Sequence, residues 1–247
     1  MAEWVLWLMV NIVAVGFGYL VAPTLVPRTA KGNVHDDADL IGAMPVFALI
    51  AFFAFHNTFY SGATVHERWA GTSDASYAFL WLYVIRQIIS FPLVFVGGMK
   101  ASDKALMTMH HIASIIAYGG GLYTGRMHWF ATLDGCCELT TIFLNFMLLF
   151  RALSYKGVLH TVNGITLWVT FLVFRLALFP YWLWKFGSDV HAHASESSAK
   201  VTMFELVFYP ATTVMLLAMS VMWFISITKG MLKAMGVLKA SAKQKAP

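Results

Sequence analysis

The sequence predicts an all-α polytopic membrane protein, about seven transmembrane helices bundled around a polar-lined lipid cavity. Three observations predict it. Apolar residues make up 59% of the 247 positions and charged residues only 12%, about half the charged share of soluble domains. Mean hydropathy is strongly positive. The apolar residues run in near-continuous stretches of roughly the ~20 residues that cross a bilayer, joined by short polar loops.

The first helix is expected at Glu3–Val21, ended by Pro23 and Pro27. No Lys or Arg precedes its apolar run, so it lacks the basic region of a secretory signal and reads as an uncleaved span. The others are expected at Met44–Ser61, Tyr77–Val96, Ala105–Tyr123, Trp129–Leu153, Leu159–Phe186 and Phe204–Thr228. The fourth has the weakest hydropathy, because His110, His111 and the Gly119–Gly121 run interrupt it. Residues 1–43 are thus a first helix and a loop, 44–228 a six-helix membrane domain, and 229–247 a Lys-rich tail.

Basic residues collect on the cytosolic side of membrane proteins. Eleven Lys and Arg fall in the tail and in the loops on its side, against four on the other side. Seven crossings therefore place the N-terminus in the lumen and the C-terminus in the cytosol. The net charge of +5 sits in those loops and the tail, so it points to topology rather than to nucleic acid. Cys136 and Cys137 are neighbours in a helix, where side chains diverge; they imply neither a disulfide nor a metal cage.

An ionisable group in a span costs roughly 2.5–3.5 kcal/mol on insertion scales, so it faces a protein interior or a cavity. His56, Arg86, His110, His111, Asp134, Glu138, Arg175 and Glu205 all fall in the predicted spans, with Asn57 and Asn145 among them. Asp134, Glu138, Thr141 and Asn145 recur at helical spacing and form one polar stripe on the fifth helix. On the fourth, His110 lines up with Ser114, and His111 with Ser114 and Tyr118. A short loop joins these two helices, which puts His111 level with Glu138. A carboxylate beside an imidazole raises its basicity, which suits a general base or an activated nucleophile. The same pair also serves simply to pin helix register, and the residues alone leave both roles open. No HExxH, no GxSxG, no metal-ligand set and no mid-span Lys in the last helix is present, which removes zincin, hydrolase and retinal chemistries.

The stretches MHHIASIIAY, ELTTIFLNFMLLFRAL and FRLALFP together resemble the TLC-domain family, which includes the ceramide synthases, the TRAM translocon proteins and smaller proteins of lipid homeostasis. His110–His111 matches the family's HH. Glu138, Thr140, Thr141 and Asn145 match an E-L-T-T-x-F-L-N pattern of the smaller members, Arg175 and Pro180 a late R-x-x-x-x-P, and His56 a histidine of an earlier span. The resemblance covers about Met44–Thr228. It implies a helix bundle around a lipid cavity, with His110, His111, Glu138 and Asp134 as the catalytic set. His56, Asn57, Arg86, Ser114, Thr141, Asn145 and Arg175 would line the pocket. The implied reaction moves an acyl group from acyl-CoA, as co-substrate and with no bound cofactor, to an amine such as a sphingoid base. The family also contains lipid sensors, cargo receptors and structural subunits. The ceramide synthase HDxxD reads LDGCCELTT here, and Arg86 stands where many relatives are acidic. Both departures favour the smaller lipid-homeostasis branch.

KQKAP, with Lys243 and Lys245, resembles the dilysine signal through which coat proteins retrieve membrane proteins to the endoplasmic reticulum. Replacing both lysines with Ala is expected to release the protein to later compartments, as read by immunofluorescence. An unchanged distribution would remove the signal.

Overall fold

The computed structural model describes residues 3–26, 33–96, 98–193 and 201–234. Lys243, Lys245 and the rest of the tail from residue 235 lie outside the described residues. Among those described, every regular element is helical: α1 (Glu3–Leu25), α2 (Val34–Tyr60), α3 (Val65–Ala70), α4 (Asp74–Ser90), α5 (Leu93–Val96), α6 (Ala101–Thr124) and α7 (His128–Gly135). A 3₁₀ turn at Cys136–Glu138 leads into α8 (Leu139–Ala152). Then come α9 (Val158–Phe171), a π-helical segment at Leu172–Ala177, α10 (Leu178–Ala192) and α11 (Met203–Ala234).

Six helical stretches are long and apolar enough to cross a membrane: Glu3–Leu25, Val34–Tyr60, Val65–Val96, His128–Ala152, Val158–Ala192 and Met203–Lys233. The chain is thus an all-α polytopic membrane protein. The seventh long helix, α6, has the length of a span, about 36 Å at 1.5 Å per residue, but not the hydropathy. It packs along α4 and α11. Its polar residues face the protein: His111, Ser114, Tyr118 and Gly121 are buried, whereas Met109, Ile112 and Ile116 are exposed.

Three boundaries differ from expectation, each for a local reason. The second helix starts at Val34, ten residues before the expected Met44. Asn33 caps it by accepting from the His35 N–H, and Asp36 and Asp37 occupy the first turn, where carboxylates favour the helix dipole. The third span, expected from Tyr77, starts at Asp74 behind a capping box at Ser73 and is preceded by the short α3, which Thr64 caps in the same way; it ends at Ser90, before α5. The fifth and sixth spans are not uniform helices, since the 3₁₀ turn and the π segment interrupt them.

The packing of α1 against α2 uses small residues. A Cβ added to Gly18 would collide with the Ala38 carbonyl oxygen, and one on Gly42 with that of Ala14. The two backbones therefore touch, the arrangement through which membrane helices gain van der Waals contact. Gly18→Leu is expected to cost about 1–3 kcal/mol by overpacking. It should lower the aggregation temperature in detergent, whereas Gly16→Leu, with open space at its Cβ, should not.

Candidate functional site

The centre of the bundle holds a polar network assembled from six elements, the π segment, α8, the 3₁₀ turn, α4, α6 and α7. Arg175, in the π segment, donates through Nε to the Thr140 hydroxyl at 2.7 Å and through a terminal nitrogen to the Thr141 hydroxyl at 3.3 Å. Thr141 donates in turn to a Glu138 carboxylate oxygen at 2.6 Å. The other oxygen of Glu138 accepts from the Tyr83 hydroxyl of α4 at 3.1 Å. Ser114 of α6 lies beside that hydroxyl. Asp134 accepts from Tyr118 of α6 at 2.5 Å. The Tyr83 and Tyr118 rings meet edge to face, 4.5 Å between centroids. Arg175, Glu138, Asp134 and Thr140 are all buried.

The two helix irregularities build this network. A π segment adds a residue to a turn and so rotates the side chains beyond it, and Arg175 sits within it. The 3₁₀ turn ends at Glu138. The Glu138 carboxylate meets the guanidinium through Thr141.

The expected pairing of a histidine with a carboxylate is not what the structure shows. Among the described residues no hydrogen bond joins Glu138 or Asp134 to His110 or His111: tyrosine and threonine hydroxyls occupy both oxygens of Glu138, and Tyr118 takes one oxygen of Asp134. The Nδ1 atoms of His110 and His111 are both buried and make no hydrogen bond among the described residues. Their rings lie 5.6 Å apart, and that of His111 lies 6.0 Å from Phe91. His111 is within electrostatic range of Arg86, Asp39 and Glu138, and His110 is within range of Arg175.

Other expected lining residues are placed elsewhere. His56 is exposed, on a groove with Glu3, Trp7 and Asp74, because its position on α2 faces outward while Asn57 next to it faces in. Asn57 is buried but structural: it donates to Thr132 at 2.8 Å and accepts from Ser73 at 2.6 Å. Arg86 pairs with Asp39 at 2.6 Å. Asn145 is buried one turn further along α8. A cavity between α6, α7, α10 and α11 is lined by Ser114, Tyr118, Asp134, Trp182, Tyr209 and Thr213, among others. Its volume is about 30 Å³, the scale of a water molecule rather than of a lipid, and neither histidine lines it. This cavity is therefore not the lipid-sized one expected. Asp134 lines it and its Oδ1 makes no hydrogen bond among the described residues.

The profile of the TLC domain matches residues 39–229, nearly the whole of the bundle that carries this network. The chain belongs to the TLC-domain family. It is 33% identical over 134 residues to TLC domain-containing protein 4-B of Danio rerio, covering 53% of this chain and 49% of that protein. It is 26% identical over 155 residues to TLC domain-containing protein 4-B of Xenopus laevis, 62% and 56% of the two chains. To TLC domain-containing protein 4 of Homo sapiens it is 27% identical over 143 residues, 57% and 53% of the two chains. The chain spans about half the length of the curated relatives it matches. No solved structure matches it.

Within the TLC domain, sequence reasoning missed Tyr83 and Asp39. Tyr83 reads as one more aromatic of an apolar run, and only its place one turn before Arg86 hints at a polar role. Asp39 falls in an expected loop, since the second helix is expected to begin after it. Arg175→Leu leaves Glu138 as an uncompensated buried charge and is expected to cost about 3–5 kcal/mol. Thermal unfolding of purified TLC-domain protein checks this. Arg175→Lys should not restore stability, because an ammonium lacks the fork that reaches Thr140 and Thr141 together.

Proposed function

We propose that this TLC-domain protein takes an acyl chain into its bundle and transfers the acyl group from acyl-CoA to an amine acceptor of the sphingoid-base kind. His111 is the proton acceptor in this reading, with His110 beside it. The supporting observation is the pair of buried Nδ1 atoms without hydrogen bonds among the described residues. A buried nitrogen left without a partner costs about 1–3 kcal/mol, and a ring kept only to pin helices would be bonded. Free nitrogens in the interior are instead what a general base requires.

Atoms and charges balance in this step. The amine nitrogen attacks the thioester carbonyl, and neutral His111 takes the proton that the amine sheds. The C–S bond breaks, and CoA leaves as a thiolate that takes this proton back from His111, giving the thiol and a neutral ring. Asp39 and Glu138, both within electrostatic range of His111, steady the positive ring against Arg86. We place the protein in the endoplasmic reticulum, with the N-terminus lumenal and the C-terminus cytosolic. The asymmetry of Lys and Arg between loops supports that orientation, and it requires α6 to cross.

One observation favours a second reading, a non-catalytic lipid sensor, cargo receptor or structural subunit. Asp134 and Glu138 are held by hydroxyl groups rather than by a histidine, as in a network that only binds helices together. His111→Ala separates the two. Loss of a general base lowers turnover about 10²–10⁴-fold, so a labelled acyl-CoA should go unconsumed while thermal stability holds. Turnover at the normal rate in that variant would remove His111 as the base, and an absence of turnover in the unaltered protein would leave the second reading standing.

A further inference from the structure

The outer face of α6 carries an apolar groove of about 550 Å³, walled by Met109, Ile112, Ala113 and Ile116 and by Phe208 of α11. Its rim lies at Lys104, whose ammonium donates to the Phe95 carbonyl at 2.8 Å. Lys100, one turn nearer the end of the bundle, is exposed. From Lys104 to Ile116 the groove follows α6 for about 18 Å, a little more than half of the ~30 Å hydrocarbon core. With Lys104 at a membrane surface, the groove would reach about mid-bilayer.

Its inner end abuts the water-sized cavity between α6, α7, α10 and α11. Ala113 and Ile116 wall the groove, while Ser114 and Ala117 wall the cavity. On α11, Phe208 faces the groove and Tyr209 the cavity. The Tyr209 hydroxyl closes the seam by donating to the Ala117 carbonyl at 3.0 Å. A Cβ on Gly120 would stand 3.1 Å from that hydroxyl, so the latch uses the missing side chain. Three consecutive glycines, Gly119–Gly121, sit here, each about 1 kcal/mol less favourable than Ala in a helix interior. The seam is thus the most easily deformed part of α6.

We propose that this groove is the entry port for the acyl chain of acyl-CoA, and that the chain passes between α6 and α11 at Tyr209. Three features fit that occupant. The groove is apolar along its length and matches a chain lying in one leaflet. Lys100 and Lys104 at the mouth, which flank the exposed Asp103, offer cations to the phosphates of CoA, which stay at the membrane surface. The groove leads directly to the closed cavity, which a chain must open to enter. The proposal rests on the reading that the bundle accepts an acyl chain.

The test uses the full-length protein in phosphatidylcholine nanodiscs and palmitoyl-CoA with a diazirine at its terminal carbon. After irradiation, labelled peptides are mapped by mass spectrometry. Label is expected at Ile116 and Phe208 and on the cavity side at Thr213. Ala113→Trp, which fills the groove from its outer face, should reduce that label at least tenfold without lowering the melting temperature. Val169→Trp on the exposed face of α9 should not. His111→Ala should keep the label while losing turnover, so failure of the chemistry and failure of the port are read separately. Equal labelling of α1, α6 and α9, or full labelling in Ala113→Trp, would overturn the port. So would phosphatidylcholine bearing the same diazirine, if it labels the groove and excess palmitoyl-CoA does not displace it; that result makes the groove a site for surrounding lipid.

Discussion

A guanidinium cannot stand alone in the middle of a membrane protein, and the bundle is arranged around that requirement at Arg175. The ion is buried, where an unpaired charge costs several kcal/mol. Its partners come from α8 as two hydroxyls, Thr140 and Thr141, and the second passes the contact on to Glu138. Glu138 in turn holds Tyr83 of α4. One cation thus fixes the register of three spans. The edge-to-face contact of Tyr83 with Tyr118 extends this order to α6, the helix that carries both histidines.

That chain of dependence explains which parts of the site are legible in the sequence. Composition and the helical spacing of polar residues yield the fold class, the inward face of α6 and the burial of Asp134, Glu138 and Arg175. Partners are harder to read. A helical wheel advances by about 100° per residue, and both the 3₁₀ turn before α8 and the π segment around Arg175 break that advance. His111 and Glu138 are level by sequence counting, yet the carboxylate is spent on Tyr83 and Thr141. Its place in a span and the resemblance both put His56 in the interior, and the packing of α2 turns it outward. Asp39 is invisible as a partner of Arg86 because the expected start of its helix lies after it, at Met44.

The bundle is also unequal along its length. At the end away from the Lys104 rim, Asp189 binds Arg68 at 2.6 Å and Lys185 at 3.3 Å, and Glu205 binds Arg126 at 2.9 Å. Asn57, Ser73 and Thr132 tie α2, α4 and α7 together there, and His128 joins Ser76 to the Gly121 carbonyl. At the opposite end the described ion pair is Arg86–Asp39, and between α4 and α6 the chain forms only the four-residue α5.

This inequality bears on how a tightly packed interior admits a ligand. Separating α6 from α11 at the tied end would break Arg126–Glu205 and expose a buried carboxylate. At the mid-depth seam the direct tie between them is a neutral hydrogen bond, Tyr209 to Ala117, worth about 0.5–1.5 kcal/mol net, in a helix already weakened by glycine. The second route leaves the Arg126–Glu205 pair intact. Motion of α6 along that route moves Ser114 and Tyr118 with it, and so disturbs the hydrogen bond that Tyr118 gives Asp134. The histidines lie one to two turns away on the same helix, so in the proposed entry route a chain passing the seam would bear on the geometry at His111.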